Sequence, residues 1–397
     1  MYARTALESI RLFHDELTAL RRDLHAHPEL GFEEVRTSGI VAGALEALGI
    51  EVHRGIGKTG VVGVIRGKHC DSGRMIGLRA DMDALPMGED NTFSHKSSKS
   101  GLMHACGHDG HTTVLIGAAR YLSQSRNFNG TAVLIFQPAE EGTGGAQAML
   151  DDGLFEMFPC DAIYALHNWP GLKPGMIGVN PGPMMAAADR FEIVIEGRGG
   201  HGAHPYQTID PVTVAGHLIT ALQSIVSRNV NPLDSAVVSI GALQAGNPDA
   251  MSVIPSTARL VGTVRTFRKT VQELIESRMN QMAASIAGAF GAKATVKYER
   301  LFPATINTPQ HANLVADIAT DLIGKENVVR DLTPSMGSED FSVMLQHKPG
   351  AYFRLGQGGA EEGCVLHNPR FDFNDAVIPL GSAMFCALAE RGMPLNE

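Results

Sequence analysis

The chain has 397 residues, of which 44% are hydrophobic and 19% charged, and its formal net charge at pH 7 is -9. This length suffices for two hydrophobic cores, and the negative charge argues against nucleic acid or an anionic membrane as a partner. No signal peptide is expected at the N-terminus, and no apolar run approaches the roughly 18 residues of a membrane span. The cysteines are scattered and odd in number, which argues against a disulfide framework and favours the cytoplasm.

The N-terminal part of the chain alternates apolar runs with helical spacing. Residues 1–24 predict one amphipathic helix, and residues 37–50 and 111–124 predict two more. Four apolar runs end in polar, glycine- or proline-bearing loops, as buried strands do when helices cover a parallel sheet. These runs are GVVGVIRG, MIGLRADMDA, GTAVLIFQPAEEG and DAIYALHNWP. We therefore predict an α/β fold with a mostly parallel sheet.

From about residue 187 to 298 the pattern changes to strand, helix, two strands, helix and strand, which is the order of a ferredoxin-like domain. Its first helix is expected to begin with Asp210 as N-cap and Pro211 at the first helical position. After residue 300 the earlier pattern resumes and must complete the first domain. We predict a first domain of residues 1–186 and 299–397, into which a satellite domain of residues 187–298 is inserted.

One loop is unusually rich in metal-binding side chains. The stretch LMHACGHDGHTT carries His104, Cys106, His108 and His111 between glycines, directly ahead of an apolar helix. An extended backbone can turn Cys106 and His108, which are one residue apart, toward one centre. A lone histidine is more often a satisfied core or surface residue than a ligand. Alone, this loop is therefore compatible either with a metal site or with a polar loop rich in histidine.

Other polar side chains follow further buried strands, at the point where each strand ends. Open α/β sheets bind ligands at the carboxyl edge of their strands. Residues that handle metals or protons would not gather at several strand ends by chance, so together with the loop they predict a metal site. The residues at these strand ends are Asp81, Asp83, Glu140, Glu141, His167 and His367.

Two metal ions suit this set better than one. Three histidines, a thiolate and a carboxylate exceed the three protein ligands of a tetrahedral catalytic zinc, whereas two ions ~3.5–4 Å apart can share a ligand. A metal lowers the pKa of bound water to ~7, and a carboxylate that is not a ligand can accept its proton. The adjacent Glu140 and Glu141 can divide these two tasks. Cysteine and histidine ligands favour zinc, with manganese, cobalt and nickel as alternatives.

Nine segments, in order from about residue 20 to 375, together resemble one known family. This family is hippurate hydrolase and its relatives, the bacterial N-acyl-amino-acid amidohydrolases and plant auxin-conjugate hydrolases, within the wider aminoacylase/carboxypeptidase-G-like metallopeptidases. The Cys-Gly-His and Pro-Ala-Glu-Glu-Gly motifs are highly specific for it. The segments are LHAHPELGFEE, GKTGVVGVIRG, GLRADMDALPM, MHACGHDGHT, FQPAEEG, GRGGHGAHP, SAVVSIGALQAG, GTVRTF and GSEDFS.

The resemblance implies a role for each matching residue of the first domain. Glu140 matches the general base, and Asp83 matches an aspartate that orients a site ligand. Where the broader family has a histidine, this chain has Asp81, and Cys106 is expected to supply the missing ligand. The implied metal ligands are Cys106, His108, Glu141, His167 and His367. The other histidines of these motifs, expected to support the structure rather than bind metal, are His25, His27, His104, His111 and His204.

The resemblance also implies roles for the satellite domain. His201 matches a histidine that supports the tetrahedral intermediate, and Arg265 matches an arginine that binds the substrate carboxylate, a contact guanidinium groups make well. Relatives dimerise through this domain, so a homodimer is expected, with a homotetramer as the alternative. Many relatives have asparagine where this chain has Ser252, which bears on specificity more than on the type of reaction.

These observations predict a metal-dependent amidohydrolase. Its substrate would be an N-acyl or N-aroyl amino acid, and its products a carboxylic acid and a free amino acid. Within the same family, the alternatives are a deacetylase of N-acetyl amino acids or acetyl-diaminopimelate, and a dipeptidase. Outside enzymes, the alternative is a binding protein with a structural metal.

Overall fold

The computed structural model describes residues 2–395. The chain divides into two compact units, each with its own core. The first unit comprises Met1–Met184, Thr305–Thr333 and Asp340–Glu397, and the second comprises Met185–Ala304 and Pro334–Glu339. The sequence-based domain boundaries, 187 and 298, lie a few residues inside the main segment of the second unit.

The secondary structure follows the predicted alternation of strands and helices. The α-helices in residues 2–395 are α1 Tyr2–Arg11, α2 His14–Ala26, α3 Val35–Ala47, α4 His108–Ser125, α5 Gly145–Asp151, α6 Leu154–Met157, α7 Pro211–Ser224, α8 Lys269–Ala289, α9 Pro309–Ile323, α10 Phe341–Leu345 and α11 Ile378–Gly392. The strands in the same range are β1 Glu51–Ile56, β2 Gly60–Arg66, β3 Met75–Asp81, β4 Thr131–Gln137, β5 Ala162–Trp169, β6 Ile177–Gly178, β7 Gly182–Met185, β8 Ala187–Glu196, β9 Gly200–His201, β10 Ala236–Ala245, β11 Val253–Ile254, β12 Thr257–Thr266, β13 Lys293–Phe302, β14 Thr305–Asn307, β15 Val328–Val329 and β16 Gly350–Gly356.

The first unit is built on an eight-stranded sheet with the order β1-β2-β4-β3-β5-β16-β6-β15. Its centre is parallel, because β3 pairs in parallel with β4 and β5, and β5 pairs in parallel with β16. Antiparallel pairs join β1 to β2, β2 to β4 and β16 to β6. The predicted α/β fold with a mostly parallel sheet is therefore confirmed. The carboxyl ends of β3, β4, β5 and β16 all meet at one edge of this sheet.

Helices bury the central strands. Along α4, almost every side chain through Leu122 is buried, as expected for a helix enclosed by other elements. Helix α11 packs beside α4 and is equally buried, and the Ser382 hydroxyl donates a hydrogen bond of 2.7 Å to the Val114 carbonyl. This close contact holds α4, and with it the loop that precedes α4, in a fixed position.

The N-terminal segment differs from its prediction as one helix. It forms α1 and α2, with a turn at Leu12 and Phe13 between them. Leu12 is 88% exposed, whereas Ile10, Phe13 and Leu17 are buried in the core. The turn brings Phe13 and Leu17 onto the same core as Ile10, which packing favours over continuing one straight helix.

The second unit has the predicted ferredoxin-like order of elements. Its antiparallel sheet has the order β10-β12-β8-β13, and its core contains apolar side chains from this sheet and from α7 and α8. As predicted, Asp210 caps α7, because its side chain accepts a hydrogen bond of 2.9 Å from the Val212 amide, and Pro211 opens the helix.

Among the helices of residues 2–395, none is both long and apolar enough to cross a membrane.

The tight contact between α4 and α11 generates a stability prediction. An ideal Cβ at Gly117 would lie 2.5 Å from Ser382 Oγ and 2.9 Å from Leu17 Cδ1, whereas one at Gly43, on α3, would meet nothing within 4 Å. We expect Gly117→Ala to lower the free energy of unfolding by roughly 1–3 kcal/mol through overpacking. Gly43→Ala is the matched control and should raise it by about 0.5–1 kcal/mol through helix propensity. Urea denaturation measures both, and equal stability of the two variants would contradict the packing described.

Candidate metal centre

The loop before α4 places Cys106 and His108 against the end of β5. Cys106 Sγ lies 3.3 Å from Nε2 of His167, the histidine near the end of that strand. Gly107 makes this approach possible: its φ is +98°, and an added Cβ would lie 2.4 Å from Asn168 Oδ1. A side chain at position 107 would therefore push the loop away from β5 and separate the thiol from the imidazole.

The loop after β4 brings the adjacent carboxylates to the same edge. The Glu141 amide donates a hydrogen bond of 2.9 Å to Asp83 Oδ2, and His108 Nδ1 lies 3.2 Å from Asp83 Oδ1. Asp83, just beyond β3, thereby holds one residue of each loop. This contact orients the imidazole of His108 so that Nε2 is left for a ligand.

The fourth segment supplies His367, which lies in a loop eleven residues beyond β16 and not, as the sequence predicted, directly at the end of a buried strand. Its amide donates a hydrogen bond of 2.8 Å to the Ala105 carbonyl, directly before Cys106, and its Nε2 lies 3.2 Å from Glu141 Oε1. The backbone of His367 is left-handed, with φ +61°, which is uncommon for a residue other than glycine. Strained backbone of this kind is concentrated at functional sites.

Among the described residues, five groups of potential ligand atoms have all their atoms within 4.8 Å of one another, and three of these groups combine the predicted ligands and Glu140. Cys106, His108 and Glu141 each belong to two of these three groups, so their side chains connect the groups into one cluster. The groups are Cys106 with His108 and His167, Cys106 with Glu141 and His367, and His108 with Glu140 and Glu141.

Two buried atoms of this cluster show how well a cation fits. Within the described residues, His108 Nε2 has no hydrogen-bond partner, and Glu141 Oε1 has none beyond its ion-pair contact of 3.2 Å with His367, although buried polar atoms are nearly always paired. They lie 3.9 Å apart. Burial alone would lower the pKa of His108, yet Asp81, Asp83 and Glu141 outweigh it and raise the pKa to about 10. The surroundings of this ring therefore attract positive charge, which a metal ion supplies.

The thiol and the second imidazole fit a metal in the same way. Burial, followed by the charges of Glu141 and Glu140, raises the pKa of the Cys106 thiol. A cation would offset both effects and stabilise the thiolate, which is the ligand form. Burial also lowers the pKa of His167, whose Nδ1 lies 2.7 Å from the Asn168 carbonyl. The neutral ring therefore directs its Nε2 lone pair toward Cys106, as metal ligation requires.

The buried guanidinium of Arg79 forms hydrogen bonds with two carboxylates near the cluster, those of Asp81 and Asp340. Arg79, inside β3, donates hydrogen bonds of 2.7 Å to Asp81 and 3.2 Å to Asp340. The other Asp81 oxygen accepts one of 2.6 Å from His111. Burial would raise the pKa of Asp81, but His108 and Arg79 hold it well below its usual range. Both Asp81 oxygens are engaged, which agrees with a supporting rather than a ligating role.

Arg79 and Asp340 were not predicted from the sequence to belong to the site. Asp340 accepts hydrogen bonds from Gln137 and from the Ala146 amide, and its own amide donates one of 3.2 Å to Glu140 Oε1. Arg79 could have been noticed, because it is a charged residue within a predicted buried strand. Such a residue needs buried partners, so its position indicates buried carboxylates nearby.

His201 and Arg265 belong to the second unit, whereas the other predicted site residues belong to the first unit. His201 is exposed on β9, and its Nδ1 accepts a hydrogen bond of 3.0 Å from the Ala203 amide. Arg265, on β12, is half-buried, and its Nη1 donates one of 3.2 Å to the Val264 carbonyl. Burial lowers the pKa of Arg265.

Comparison with known proteins adds an independent observation. The model of Peptidase family M20/M25/M40 matches residues 77–391. The chain belongs to this family. Members are hydrolases, and the predicted resemblance to the hippurate hydrolase group is confirmed by the relatives described next.

Individual M20 relatives match almost the whole chain. Hippurate hydrolase of Campylobacter jejuni is 43% identical over 374 residues, covering 94% of this chain and 96% of the relative. N-acetylcysteine deacetylase of Bacillus subtilis is 42% identical over 381 residues, covering 96% and 97%. The crystal structure of Bacillus subtilis YXEP protein, described as a dinuclear metal binding peptidase from the M20 family, matches with a TM-score of 0.83 at 38% identity, covering 96% of this chain and 99% of that chain.

The charges behind the metal-binding loop generate a pH prediction. His25 Nδ1 lies 2.8 Å from Asp109, beside His108 in sequence, and Nε2 lies 3.3 Å from Glu89. Burial lowers the pKa of His25, but Asp109 and Glu89 outweigh it and raise the pKa from 6.5 to about 9. Because the folded-state pKa is raised, this ion pair stabilises the fold fully below pH 6.5, and the stabilisation is lost as the pH rises through 9.

We therefore expect the stability advantage of the wild type over His25→Gln to fall by about 2–3 kcal/mol between pH 6 and pH 10. Urea denaturation at several pH values measures the difference. His69→Gln, which changes an exposed ring, is the control, and its difference in stability from the wild type should not vary with pH. An advantage over His25→Gln that does not vary with pH would contradict the ion pair.

Proposed function

We propose that this M20 protein hydrolyses the amide bond of N-acyl or N-aroyl amino acids, using two divalent metal ions. One observation carries the proposal: loops after β3, β4 and β5 and before α4, with the segment at His367, bring thiol, imidazole and carboxylate groups to one edge of the sheet. A closed structural zinc site would use four protein ligands. Here Glu140 adds a further buried carboxylate beside the ligand groups, which supports catalysis over a structural role.

The proposed ligands are those implied by the sequence. Cys106, His108 and His167 would hold one ion, and Glu141 and His367 the other, with Cys106 shared between them. Divalent ions bound there supply Lewis-acid polarisation of the scissile carbonyl and lower the pKa of a water molecule. Asp83 orients His108 and the Glu141 amide, so that two ligand-bearing segments keep a constant spacing.

Glu140 is the proposed general base. Its Oε1 accepts a hydrogen bond from the Asp340 amide, which orients the carboxylate. The carboxylate accepts a proton as water adds to the carbonyl carbon. It then delivers that proton to the leaving nitrogen as the C–N bond breaks, yielding a carboxylic acid and a free amine. Water is consumed and no oxidant or reductant is needed.

The second unit contributes recognition in this proposal. The Ala203 amide donates to His201 Nδ1, so a neutral ring carries its proton on Nε2. That N–H can donate a hydrogen bond to the oxyanion that forms during attack. Arg265 would bind the carboxylate of the amino-acid portion, in the bidentate manner of guanidinium groups.

Three further assignments belong to the proposal. Cysteine and histidine ligands support zinc as the metal, with manganese, cobalt and nickel as alternatives. The resemblance supports a homodimer formed through the second unit. The five free cysteines support a reducing compartment, the cytoplasm.

Deacetylation is the second candidate function. It is favoured by the relative named as an N-acetylcysteine deacetylase, whose identity of 42% nearly equals the 43% of the hippurate hydrolase. The two candidates share the metal site and the general base, and they differ only in the acyl group that is accepted.

A substrate panel tests the function. Metal-free protein is reconstituted with zinc, manganese, cobalt or nickel and assayed on hippurate, N-acetyl amino acids and dipeptides. The proposed recognition requires an acylated amine and a free carboxylate, which all three substrate classes have. We expect metal-dependent hydrolysis with the aroyl substrate preferred, because the chain is 43% identical to a hippurate hydrolase. Preference for acetyl substrates would establish the deacetylase instead, and preference for dipeptides a peptidase. No hydrolysis with any metal would refute the proposal.

The general base generates a separate prediction. Glu140→Gln keeps the shape of the side chain but removes its ability to accept a proton, so kcat should fall by roughly 10²–10⁴-fold while two equivalents of metal remain bound. Elemental analysis beside steady-state kinetics measures both. The neighbouring Glu141→Gln is the matched comparison and should lose metal as well as turnover. Near-parental activity of Glu140→Gln would refute the assignment.

A further inference from the structure

The backbone directly before Glu140 is strained. Ala139 has φ +55°, in the left-handed region, where a residue with a Cβ clashes with its own carbonyl. Ala139 is fully buried. This conformation turns the chain at the end of β4, and it thereby sets the direction in which Glu140 and Glu141 leave the strand.

A buried carboxylate from a distant segment holds this turn. The Ala139 amide donates a hydrogen bond of 2.8 Å to Oε1 of Glu34, at the start of α3. The other oxygen, Oε2, accepts one of 2.6 Å from the Thr59 hydroxyl. Both oxygens of Glu34 therefore have a defined partner, and the side chain is completely buried.

The carbonyl group of Ala139 is also held by hydrogen bonds, and the segment that carries Glu34 packs closely against this residue. The Ala139 carbonyl accepts hydrogen bonds from the Gly145 amide and the Thr143 hydroxyl. An ideal Cβ at Gly31, three residues before Glu34, would lie 3.0 Å from Ala139 Cα and 2.8 Å from Thr143 Oγ1. The segment that carries Glu34 thus packs directly against the turn.

Glu34 and Asp83 act on the two sides of the proposed base. Glu34 binds the amide that precedes Glu140, and Asp83 binds the amide that follows it, on Glu141. Two buried carboxylates therefore fix the peptide unit before Ala139 and the peptide unit after Glu140, so that the catalytic residue lies between two anchored points of the backbone. Both residues lie in segments that carry the family resemblance, Asp83 in GLRADMDALPM and Glu34 at the end of LHAHPELGFEE, but the resemblance implies a role only for Asp83.

Burying the Glu34 carboxylate lowers the stability of the fold, so stability alone does not explain its presence at this position. Burial raises the pKa of Glu34 to about 7, which reflects the cost of removing the charge from water. An apolar side chain would avoid that cost but would leave the buried Ala139 amide without an acceptor. The geometry thus ties Glu34 to the conformation of the turn.

We propose that Glu34 is a positioning residue that holds Ala139 in its left-handed conformation and thereby aims Glu140 and Glu141. Its side-chain hydrogen bonds go to Thr59 and to the Ala139 amide and not to a proposed metal ligand. The proposal rests on the proposed function for its kinetic consequence, whereas its structural consequence can be measured without substrate or metal.

The structural test is hydrogen exchange of the metal-free protein, followed by mass spectrometry of peptides covering residues 138–145. In Glu34→Ala we expect amides of this segment to exchange at least about tenfold faster, because a local bond is lost, while peptides from α4 and β5 exchange as in the wild type. Glu33→Ala is the matched control, since Glu33 is exposed and adjacent, and it should leave the segment unchanged. Unchanged exchange in Glu34→Ala would refute the proposal.

The kinetic test separates positioning from binding. Displacing a catalytic group by about 1 Å can cost on the order of 100-fold in rate, so Glu34→Ala should lower kcat by roughly 10–100-fold with little change in KM. Glu34→Gln keeps an acceptor for Ala139 and an amide group for Thr59, and it should retain kcat within about threefold. Equal loss in the alanine and glutamine variants would overturn the positioning role.

A double variant tests the role of the backbone strain. Glycine adopts left-handed φ without penalty, so Ala139→Gly introduced into Glu34→Ala should recover about threefold or more of the lost kcat. No recovery would contradict the link between Glu34 and the turn.

A further variant applies if Glu34→Ala does not fold. Thr59→Val removes the hydroxyl that orients Glu34, and it should change both hydrogen exchange and kcat in the same direction as Glu34→Ala but by a smaller amount. Unchanged exchange and kcat in Thr59→Val would refute the proposal.

These outcomes separate the two proposals. If the wild type hydrolyses no amide substrate with any metal, the proposed function fails, yet exchange of residues 138–145 still decides the role of Glu34. If the wild type is active and Glu34→Ala matches it in both kcat and exchange, only the Glu34 proposal fails.

Discussion

Parallel pairing in the first sheet is the constraint on which the rest of the molecule depends. Because β3, β4, β5 and β16 run in the same direction, their carboxyl ends meet at one edge. Each strand then delivers a different side chain to a common place, although the segments are far apart in the sequence. A closely spaced pair such as Cys106 and His167 is possible only because β5 ends beside the loop that precedes α4.

The balance of charge at this edge explains its combination of residues. Carboxylates of Asp81, Asp83, Glu140 and Glu141 are buried or nearly so, and burying several like charges together is unfavourable without compensation. Arg79 compensates part of this charge from within the sheet. Divalent cations would compensate the remainder, so that one requirement accounts for the ligand set, for the raised pKa of His108 and for the supporting arginine.

Local patterns made much of the fold and of the candidate site predictable. Apolar runs predicted the central strands, and polar residues after β3 and β4 and near the end of β5 predicted part of the proposed site, because parallel pairing brings these strand ends together. Contacts between distant segments were not predictable. Glu34 and Ala139 are 105 residues apart, and Arg79 and Asp340 are 261 apart, and no local periodicity encodes such pairs. The left-handed backbone of Ala139 was likewise hidden, since alanine is a good helix former.

The discontinuous first unit has a consequence for how the protein is made. Strand β16 pairs with β5, yet the ribosome synthesises it only after the entire second unit. His367, thirty residues from the C-terminus, arrives later still. The second unit can therefore fold during translation at a stage when the first sheet still lacks β16, its last central strand. Binding of metal by the complete set of proposed ligands would therefore require synthesis of the chain through His367, and products that end before β16 would carry an open sheet edge and no complete centre.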